Sequence, residues 1–419
     1  RTNMLMRWAQ VKEDGTYVAP PKAQMAYGAL IGGRVNMIQD SADYAKKGLT
    51  IAVRYSAVRR QFPDPSKPDH EFQILNYQTH QHRIMPILAT CYAFHFTAEQ
   101  VRKKYEQVQD ELQEGNILNL VGLHATSAGL KAFSTWWCNE SLEQLRQCLG
   151  GHGYSSYSVL PSMLQDFAVM CTWEGDNTVM AQQTAKYLIK CLRRTMKGKP
   201  IHGFEKYIEK YQKILKPKSL KRYDLTDSRT QLKIFQRVSV RLLTRVNSHL
   251  YDEIKRGKTK DEAWNECLVE LVAAARAHCD FFTVKCFTDA INELPESQEA
   301  IKKVLKKLSD LHAMYILSKY HYGVLLEDRY LTGHHTEKMR DLVRILCKEV
   351  RKDAVPLVDA FDFPDWVVQS PLGRYDGEVY KNYFEMVKGA PYPQPAPYWD
   401  EIIKPSLKQP RTTNSNNNA

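Results

Sequence analysis

A long stretch, ILNLVGLHATSAGLKAFSTWWCNESLEQLRQC at residues 117–148, runs directly into the glycine-rich sequence LGGHGY at residues 149–154. Apolar residues recur in the first stretch at the three- and four-residue spacing that places them on one face of an α-helix. Glycine adopts backbone conformations that other residues avoid, so Gly150 and Gly151 indicate a tight turn after the helix. The stretch therefore predicts one long amphipathic helix of a helical bundle, ended by a turn whose backbone a ligand can approach closely.

A second glycine-marked turn, WEGDNT at residues 173–178, follows after an apolar segment. In this turn Glu174 stands between the bulky ring of Trp173 and the flexible backbone of Gly175. A carboxylate that is held by a turn and shielded from water is suited to be a general base. The next three residues are typical of the start of a helix, where their side chains cap free amides: Asp176, Asn177 and Thr178. The spacing alone is equally compatible with an ordinary connecting turn that carries a solvated acid.

The rest of the sequence predicts an all-α protein of two or three domains. The chain has 419 residues, 43% of them hydrophobic, which is enough for sizeable cores. Further helical patterns cover 23–55, 74–112, 179–192, 227–256, 260–292, 296–320 and 336–354. We expect a long antiparallel helix bundle at 22–195 and a second helical domain at 226–405, joined by a basic linker at 196–225. Residues 62–69, with three prolines, predict a loop, and Pro-rich 392–397 predicts the end of the ordered chain before a disordered tail at 406–419.

Composition narrows the classes of function. The net charge is +12, and the densest basic stretch runs from Lys186 to Arg222. That stretch is compatible either with a solvated linker or with binding of a phosphate-rich ligand, whereas no nucleic-acid-binding motif is present. No apolar run is long enough for a transmembrane helix, so we expect no membrane partner. The nine cysteines form no CxxC or Cys/His spacing, and the histidines at 80, 82, 334 and 335 have no supporting ligand pattern, so we expect reduced thiols and no metal site.

The two turns together, QCLGGHGY at residues 147–154 and EGDNT at residues 174–178, resemble the rear half of an acyl-CoA oxidase. That family is the peroxisomal, FAD-dependent branch of the acyl-CoA dehydrogenase superfamily, and the resemblance extends from Ala23 to about Asp400. It implies conversion of a fatty acyl-CoA to the trans-2-enoyl-CoA, with O2 reduced to H2O2. It also implies a peroxisomal location, although the chain ends in Asn-Asn-Ala rather than in Ser-Lys-Leu.

The resemblance further implies a helical domain and a β domain upstream of this sequence. Residues 1–21 would then be the end of the β domain and its linker, and residues 1–419 alone would be inactive. The family arrangement is a dimer, of like chains or of related subunits, that shares FAD across its interface.

Site residues are carried over from the family position by position. Glu174 corresponds to the base that removes a proton from the thioester, and the residues expected beside the substrate are Arg34, Trp173 and Gly175. The residues expected to contact FAD are Arg59, Gln61, Phe62, Gln78, Gln147, Gly150, Gly151, Asp176, Asn177 and Thr178. The sequence departs from the family at Pro63, where glycine is usual, which leaves the detail of that loop open.

Several alternatives remain open at this stage. Arg34 would also be explained by a buried structural carboxylate, Arg59 by capping of a helix end, and Gln78 by an ordinary surface position. The whole chain is also compatible with an acyl-CoA dehydrogenase that passes electrons to a flavoprotein, or with a non-catalytic helical scaffold subunit.

Overall fold

The structure is a computed structural model that describes residues 9–20, 28–216, 224–390 and 396–408. Helices dominate these ranges. The first group of helices comprises α1 (Gly28–Val58), α2 (Gln78–Gln113), α3 (Leu120–Cys148), α4 (Gly151–Tyr154), α5 (Leu160–Phe167) and α6 (Asn177–Met196). The second comprises α7 (Tyr211–Ile214), α8 (Ser228–Lys255), α9 (Lys260–Glu266), α10 (Leu268–Glu293), α11 (Glu299–Ile316), α12 (Tyr322–Glu327), α13 (Gly333–Lys352), α14 (Ala354–Asp359), α15 (Asp365–Val368), α16 (Val379–Lys388) and α17 (Lys404–Lys408).

The long helices of the first group form the predicted antiparallel bundle. Contacts between α1 and α2 run in opposite directions along the chain, from Ser56 with His80 to Lys46 with His95. The α3–α6 pair is also antiparallel, whereas α1 and α3 lie side by side in the same direction, both antiparallel to α2. The prediction of long amphipathic helices is therefore confirmed, and the buried strip of α3 faces α1 and α6.

The predicted loop at residues 62–69 is wrong, because the structure has an antiparallel β-hairpin there. Its strands are β3 (Arg60–Asp64) and β4 (Lys67–Gln73), and its register shifts on either side of Pro63. Each strand of a two-stranded hairpin has a free edge, where a residue without an N–H group is tolerated. Irregular register likewise accommodates proline. An earlier, shorter hairpin pairs β1 (Gln10–Val11) with β2 (Tyr17–Val18), while residues 1–8 lie outside the described ranges.

The second group of helices packs onto the first and shares its apolar core. Phe96 of α2 contacts Phe287 of α10 at a ring-centroid distance of 5.2 Å, and Thr90 of α2 is bonded to His312 of α11. The core thus crosses the predicted boundary near residue 225, and the division into domains stays a prediction. The helix predicted over 260–292 is two helices, because Cys267 interrupts the regular pattern between α9 and α10.

Part of the predicted basic linker is packed rather than solvated. A 3₁₀ helix at Gly203–Lys210 buries Glu205, Tyr207 and Ile208. The hydroxyl of Tyr207 lies 2.8 Å from the Nδ1 atom of His278 in α10, which ties this segment to the core. The lysines of the stretch that the structure describes, up to Lys216, are exposed to solvent.

The end of the chain also differs from expectation. Beyond the Pro-rich segment, a wide helical turn at Trp399–Ile403 leads into α17, so ordered structure continues to residue 408. Residues 391–395 and 409–419 lie outside the described ranges. None of the helices in the described part of the chain combines the length and apolar character that crossing a bilayer needs.

Candidate active site

The turn before α6 presents Glu174 in a conformation that few side-chain-bearing residues adopt. Glu174 has a φ of 55° and Gly175 a φ of 111°, so two consecutive residues are left-handed. A side chain at position 175 would come within 2.6 Å of Met180, which explains why glycine stands there. The carboxylate of Asp176 caps α6 by accepting the amide of Thr178 at 2.9 Å. The cap and the glycine together set the direction in which Glu174 leaves the turn.

The carboxyl group of Glu174 lies against the backbone of α1. A methyl group on Gly33 would be 3.1 Å from its Cδ atom, so only glycine leaves the carboxyl its full space. Two consecutive glycines of α1 are approached closely by other side chains: Gly33 faces Glu174, and Gly32 faces the hydroxyl of Tyr105. The Oε2 atom of Glu174 is shielded from solvent and has no hydrogen-bond partner among the described residues.

Arg34 is buried beside this turn, but its partner is not a carboxylate. Its Nε donates to the main-chain oxygen of Glu174 at 2.9 Å, and its Nη1 lies 3.4 Å from Nδ1 of His124. Burial lowers the pKa of Arg34, an effect that the negative charge of Glu174 opposes. Burial, and then the positive charge of Arg34, lower the pKa of His124. The structure therefore brings Arg34 and Glu174 together as the sequence predicted, through the backbone of the turn.

Lys131 of α3 is a site residue that the sequence analysis missed. Its side chain is completely buried, and its Nζ donates to the main-chain oxygen of Gly175 at 2.7 Å and to Oδ1 of Asn177 at 2.8 Å. Burial lowers the pKa of Lys131 to about 8. A lysine between Leu130 and Phe133 on an apolar helix face was the available signal, because an unpaired buried charge is costly.

The remaining predicted residues of this turn take different positions. Trp173 has 52% of its surface exposed, and its indole N–H points to the sulfur of Met170. Thr178 is exposed, whereas the side chain of Asn177 is fully buried and donates to Thr135 of α3. The Asn177 side chain therefore faces the bundle interior rather than an outer surface.

A second set of predicted residues surrounds an open hollow of about 660 Å³ between the end of α1 and the end of α3. Six of the residues expected to contact FAD line it: Arg59, Gln61, Phe62, Gln147, Gly150 and Gly151. Gln78 is exposed at the start of α2 and does not line the hollow, although the next residue, Thr79, does. The structure thus collects residues that lie nearly ninety positions apart in the sequence.

The floor of this hollow has the features of a phosphate-binding surface. Gly150 has a φ of 61°, and a methyl group on either Gly150 or Gly151 would meet no heavy atom within 4 Å. The two glycines therefore leave bare backbone at an open surface. The Gly150 amide donates to the main-chain oxygen of Gln147 at 3.1 Å, which leaves the Gly151 amide to meet an anion. Arg59 extends over it with its Nη2 bonded to Gln61 at 2.9 Å, and a planar guanidinium matches a phosphate group. These residues fit the pyrophosphate of a dinucleotide.

Helix α16 also reaches this hollow, which the sequence did not predict. The hydroxyl of Tyr380 accepts a hydrogen bond from Nη1 of Arg59, and this bond is the main cause of a raised pKa of Arg59. The hydroxyl of Tyr383 lies 3.0 Å from Oγ of Ser155, just beyond the glycine turn. Two tyrosines three residues apart on an amphipathic helix were the only local signal.

A separate, more enclosed cavity of about 220 Å³ lies between α3, α6 and the packed basic segment. It contains Glu205, of which only 3% is exposed, and Thr126, whose hydroxyl donates to the carboxylate of Glu205 at 3.4 Å. Burial raises the pKa of Glu205 to about 7. Within the described ranges no cluster of three potential metal ligands occurs, and all nine cysteines are free thiols.

Comparison with known proteins assigns both halves of the chain to one family. Residues 27–189 match the acyl-CoA oxidase C-alpha1 domain, and residues 227–408 match acyl-CoA oxidase. The chain is 39% identical over 399 residues to peroxisomal acyl-coenzyme A oxidase 1 of Mus musculus, which covers 93% of the chain and 59% of the relative.

Solved structures agree with the sequence matches. Arabidopsis thaliana acyl-CoA oxidase 1 superposes with a TM-score of 0.87 at 32% identity, over 97% of this chain and 61% of that one. Acyl-CoA oxidase-1 of Caenorhabditis elegans, solved in complex with FAD and ATP, gives 0.85 at 34% identity over 97% and 60%. The chain therefore spans about three fifths of the length of these relatives. With models of this one family matching both helical regions, the chain belongs to the acyl-CoA oxidase family.

Proposed function

We propose that this chain is the C-terminal part of a peroxisomal acyl-CoA oxidase that converts a fatty acyl-CoA to the trans-2-enoyl-CoA. The observation that carries the proposal is the carboxylate of Glu174, held through its main chain and facing Gly33, with Oε2 unpaired among the described residues. A carboxylate that is already in an ion pair is a weaker base, whereas an unpaired one is free to accept a proton. Glu174 is therefore placed to remove the α-proton of the thioester.

The arrangement around Glu174 separates positioning from proton transfer. Arg34 donates to the main-chain oxygen and leaves the carboxylate oxygens available. The left-handed turn and the Asp176 cap reduce the freedom of the base before substrate binds. Such preorganisation lowers the entropic cost of reaching a reactive geometry, which supports an enzymatic role over a scaffold role.

The second hollow supports FAD as the cofactor. Arg59 would hold a phosphate, Gly151 would present its backbone amide to the pyrophosphate, and Gly150 would leave room for its approach. Gln147 and Gln61 would add hydrogen bonds. Bound FAD supplies the redox chemistry, by accepting the hydride from the β-carbon and passing electrons to O2 to give H2O2. The relatives solved with FAD include the Caenorhabditis elegans acyl-CoA oxidases -1 and -2, which supports this assignment.

The hollow is open on one side, which supports a shared site. We infer a dimer of like chains, or of related subunits, in which FAD bound mainly by one chain meets Arg59 and the glycine turn of its partner. The acyl-CoA dehydrogenase alternative is less favoured, because residues 227–408 match the oxidase itself. A scaffold role is less favoured because Glu174, Arg34 and Arg59 are all in place.

The test is the absorbance spectrum of the full-length, flavin-loaded protein mixed with an acyl-CoA, first without oxygen and then in air. We expect bleaching of the flavin without oxygen, and recovery with release of H2O2 in air. Glu174→Gln should keep the fold and the flavin but slow bleaching by about 10²–10⁴ or more, since it removes a general base.

The matched control is Asp166→Asn, an exposed carboxylate on α5 that should leave bleaching unchanged. Bleaching of the Glu174→Gln protein at the wild-type rate would show that another group removes the proton. Bleaching without H2O2 release in air would favour the dehydrogenase alternative.

A further inference from the structure

Lys131 occupies an unusual place for a lysine, buried where α3 meets the turn before α6 and the first residue of α6. It is among the largest of the completely buried side chains in the described residues, and it lies in the interior of a long helix. Its ammonium group forms no ion pair with an acidic side chain of the described residues. It bonds to the main-chain oxygen of Gly175 and the side-chain oxygen of Asn177, at 2.7 and 2.8 Å. Charge-assisted bonds of this length are strong and directional.

Two buried cations therefore grip consecutive carbonyl groups of one turn. Arg34 from α1 holds the oxygen of Glu174, and Lys131 from α3 holds the oxygen of Gly175. Both carbonyls belong to residues with left-handed backbones, a conformation that a non-glycine residue keeps only when its surroundings impose it. The two cations come from different helices, so their bonds fix the turn relative to the bundle as well as internally.

A chain of hydrogen bonds connects Asn177 back to the main chain of α3. Asn177 donates its side-chain N–H to Oγ1 of Thr135, and Thr135 in turn donates to the main-chain oxygen of Lys131, one helical turn earlier. Asn177 thus presents its oxygen to Lys131 in a defined orientation. A lysine that served only to fill space would be costly here, because a hydrocarbon side chain of similar size carries no desolvation penalty.

We propose that Lys131 is a positioning residue for the reaction: it locks the Gly175 carbonyl so that the preceding residue, Glu174, points its free carboxylate at the substrate. The inference rests on the proposed function of Glu174 as the base. It assigns the two cations the same task, orientation of the base through the main chain without pairing with its carboxylate. A base misplaced by about 1 Å can lose about 10²-fold in rate, so a change behind the turn should appear in the chemical step.

The test uses two variants of the full-length, flavin-loaded enzyme. Lys131→Met keeps the length of the side chain but has no donor, and Lys131→Gln keeps one polar donor group. We expect Lys131→Met to reduce the rate of flavin bleaching per bound flavin by roughly tenfold or more, with the Kd for acyl-CoA unchanged within about twofold. Lys131→Gln should recover part of the rate, because an amide N–H reaches one of the two acceptors.

A second measurement, amide hydrogen exchange, separates this inference from the proposed function, because it does not depend on turnover. Loss of the Lys131 bond should raise exchange in the peptide that spans residues 173–179, and not elsewhere along α3 and α6. The control is Thr184→Val, which removes a buried hydroxyl from the same helix pair, bonded to Ala125, but away from the turn. It should leave both the bleaching rate and the exchange of 173–179 unchanged.

Three results would overturn the inference. The first is a wild-type bleaching rate per bound flavin in Lys131→Met, and the second is equal losses in Lys131→Met and Thr184→Val, which would indicate general destabilisation. The third is unchanged exchange over 173–179 in Lys131→Met. A different result is possible: Lys131→Met raises exchange over 173–179, but the wild-type protein does not bleach with acyl-CoA. That result would refute the proposed function and still support the contact of Lys131 with the turn.

Discussion

Replacing Gly33 by alanine should leave the fold intact and still slow the chemical step, because its Cβ would press on the carboxyl group of Glu174, the proposed base. The added methyl would lie 3.1 Å from Cδ, 3.2 Å from Oε1 and 3.4 Å from Oε2 of Glu174. Comfortable contact begins near the longest of these distances, so the carboxyl must yield by a few tenths of an ångström. In the interior of α1, alanine is favoured over glycine by about 1 kcal/mol. Stability should therefore be unchanged or slightly higher.

The effect on rate follows from the sensitivity of a general base to its position. If about 1 Å of displacement costs about 10²-fold, a few tenths of an ångström should cost roughly tenfold or less. The assay is stopped-flow bleaching of the flavin by an acyl-CoA without oxygen, in the full-length protein, together with thermal unfolding. The matched control is Gly323→Ala in α12, where a methyl group meets no atom within 4 Å.

The reasoning would be refuted by a Gly33→Ala protein that bleaches at the wild-type rate with an unchanged melting temperature. That result would mean that the Glu174 carboxyl has spare room or that it does not carry out the proton transfer. A slow variant with a melting temperature well below that of the wild type would show instead that the methyl group disrupts the α1 packing.

The remaining predictions concern the cofactor hollow, the Glu205 cavity and the isolated chain. Arg59→Ala should release flavin roughly ten- to a hundredfold more readily, since a charge-assisted bond contributes about 1.5–3 kcal/mol. The control is Arg60→Ala, because the Arg60 side chain is exposed and bonded to the main chain of Glu71. Equal flavin retention by the two variants on gel filtration contradicts the cofactor role of Arg59. Because burial raises the pKa of Glu205 to about 7, the native state keeps a proton that the unfolded chain loses, and stability should fall as the pH rises from about 4.5 to 7 by on the order of 3 kcal/mol. Glu205→Gln removes this fall, so its melting temperature should exceed that of the wild type by more at pH 8 than at pH 5, and an equal difference at both pH values rejects the assignment. Residues 1–419 alone should be helical and colourless, because they span only about three fifths of the length of the relatives solved with FAD. Stoichiometric flavin and H2O2 production from this chain by itself contradicts that expectation.

The local features of the fold could be predicted from the sequence. The apolar spacing located α3 to within three residues of its start and correctly ended it at Cys148. The glycines after it marked a real turn, and Asp176 was correctly assigned as a cap. These features depend on residues within a turn or two of each other, and local backbone preferences are strong enough to fix them.

Two predictions were wrong because the local sequence pattern was compatible with two different structures. Three prolines around residues 62–69 indicated a loop, but a two-stranded hairpin tolerates prolines at its free edges and irregular positions. The basic stretch indicated a solvated linker, but Tyr207 and Ile208 within it are buried, while its lysines in the described ranges are exposed. In both cases the outcome depends on which neighbour the segment packs against.

By itself the sequence determined the helices, the two turns and the identity of Glu174 as the candidate base, because each is written in a short run of residues. Tertiary structure alone decided that Gly33 makes room for the carboxyl, that Lys131 holds the next carbonyl, and that Tyr380 reaches Arg59. Those contacts join residues on different elements of the fold, and Tyr380 is more than three hundred positions from its partner. Buried polar groups must find partners wherever packing places them, so such pairs become visible only when the helices are assembled.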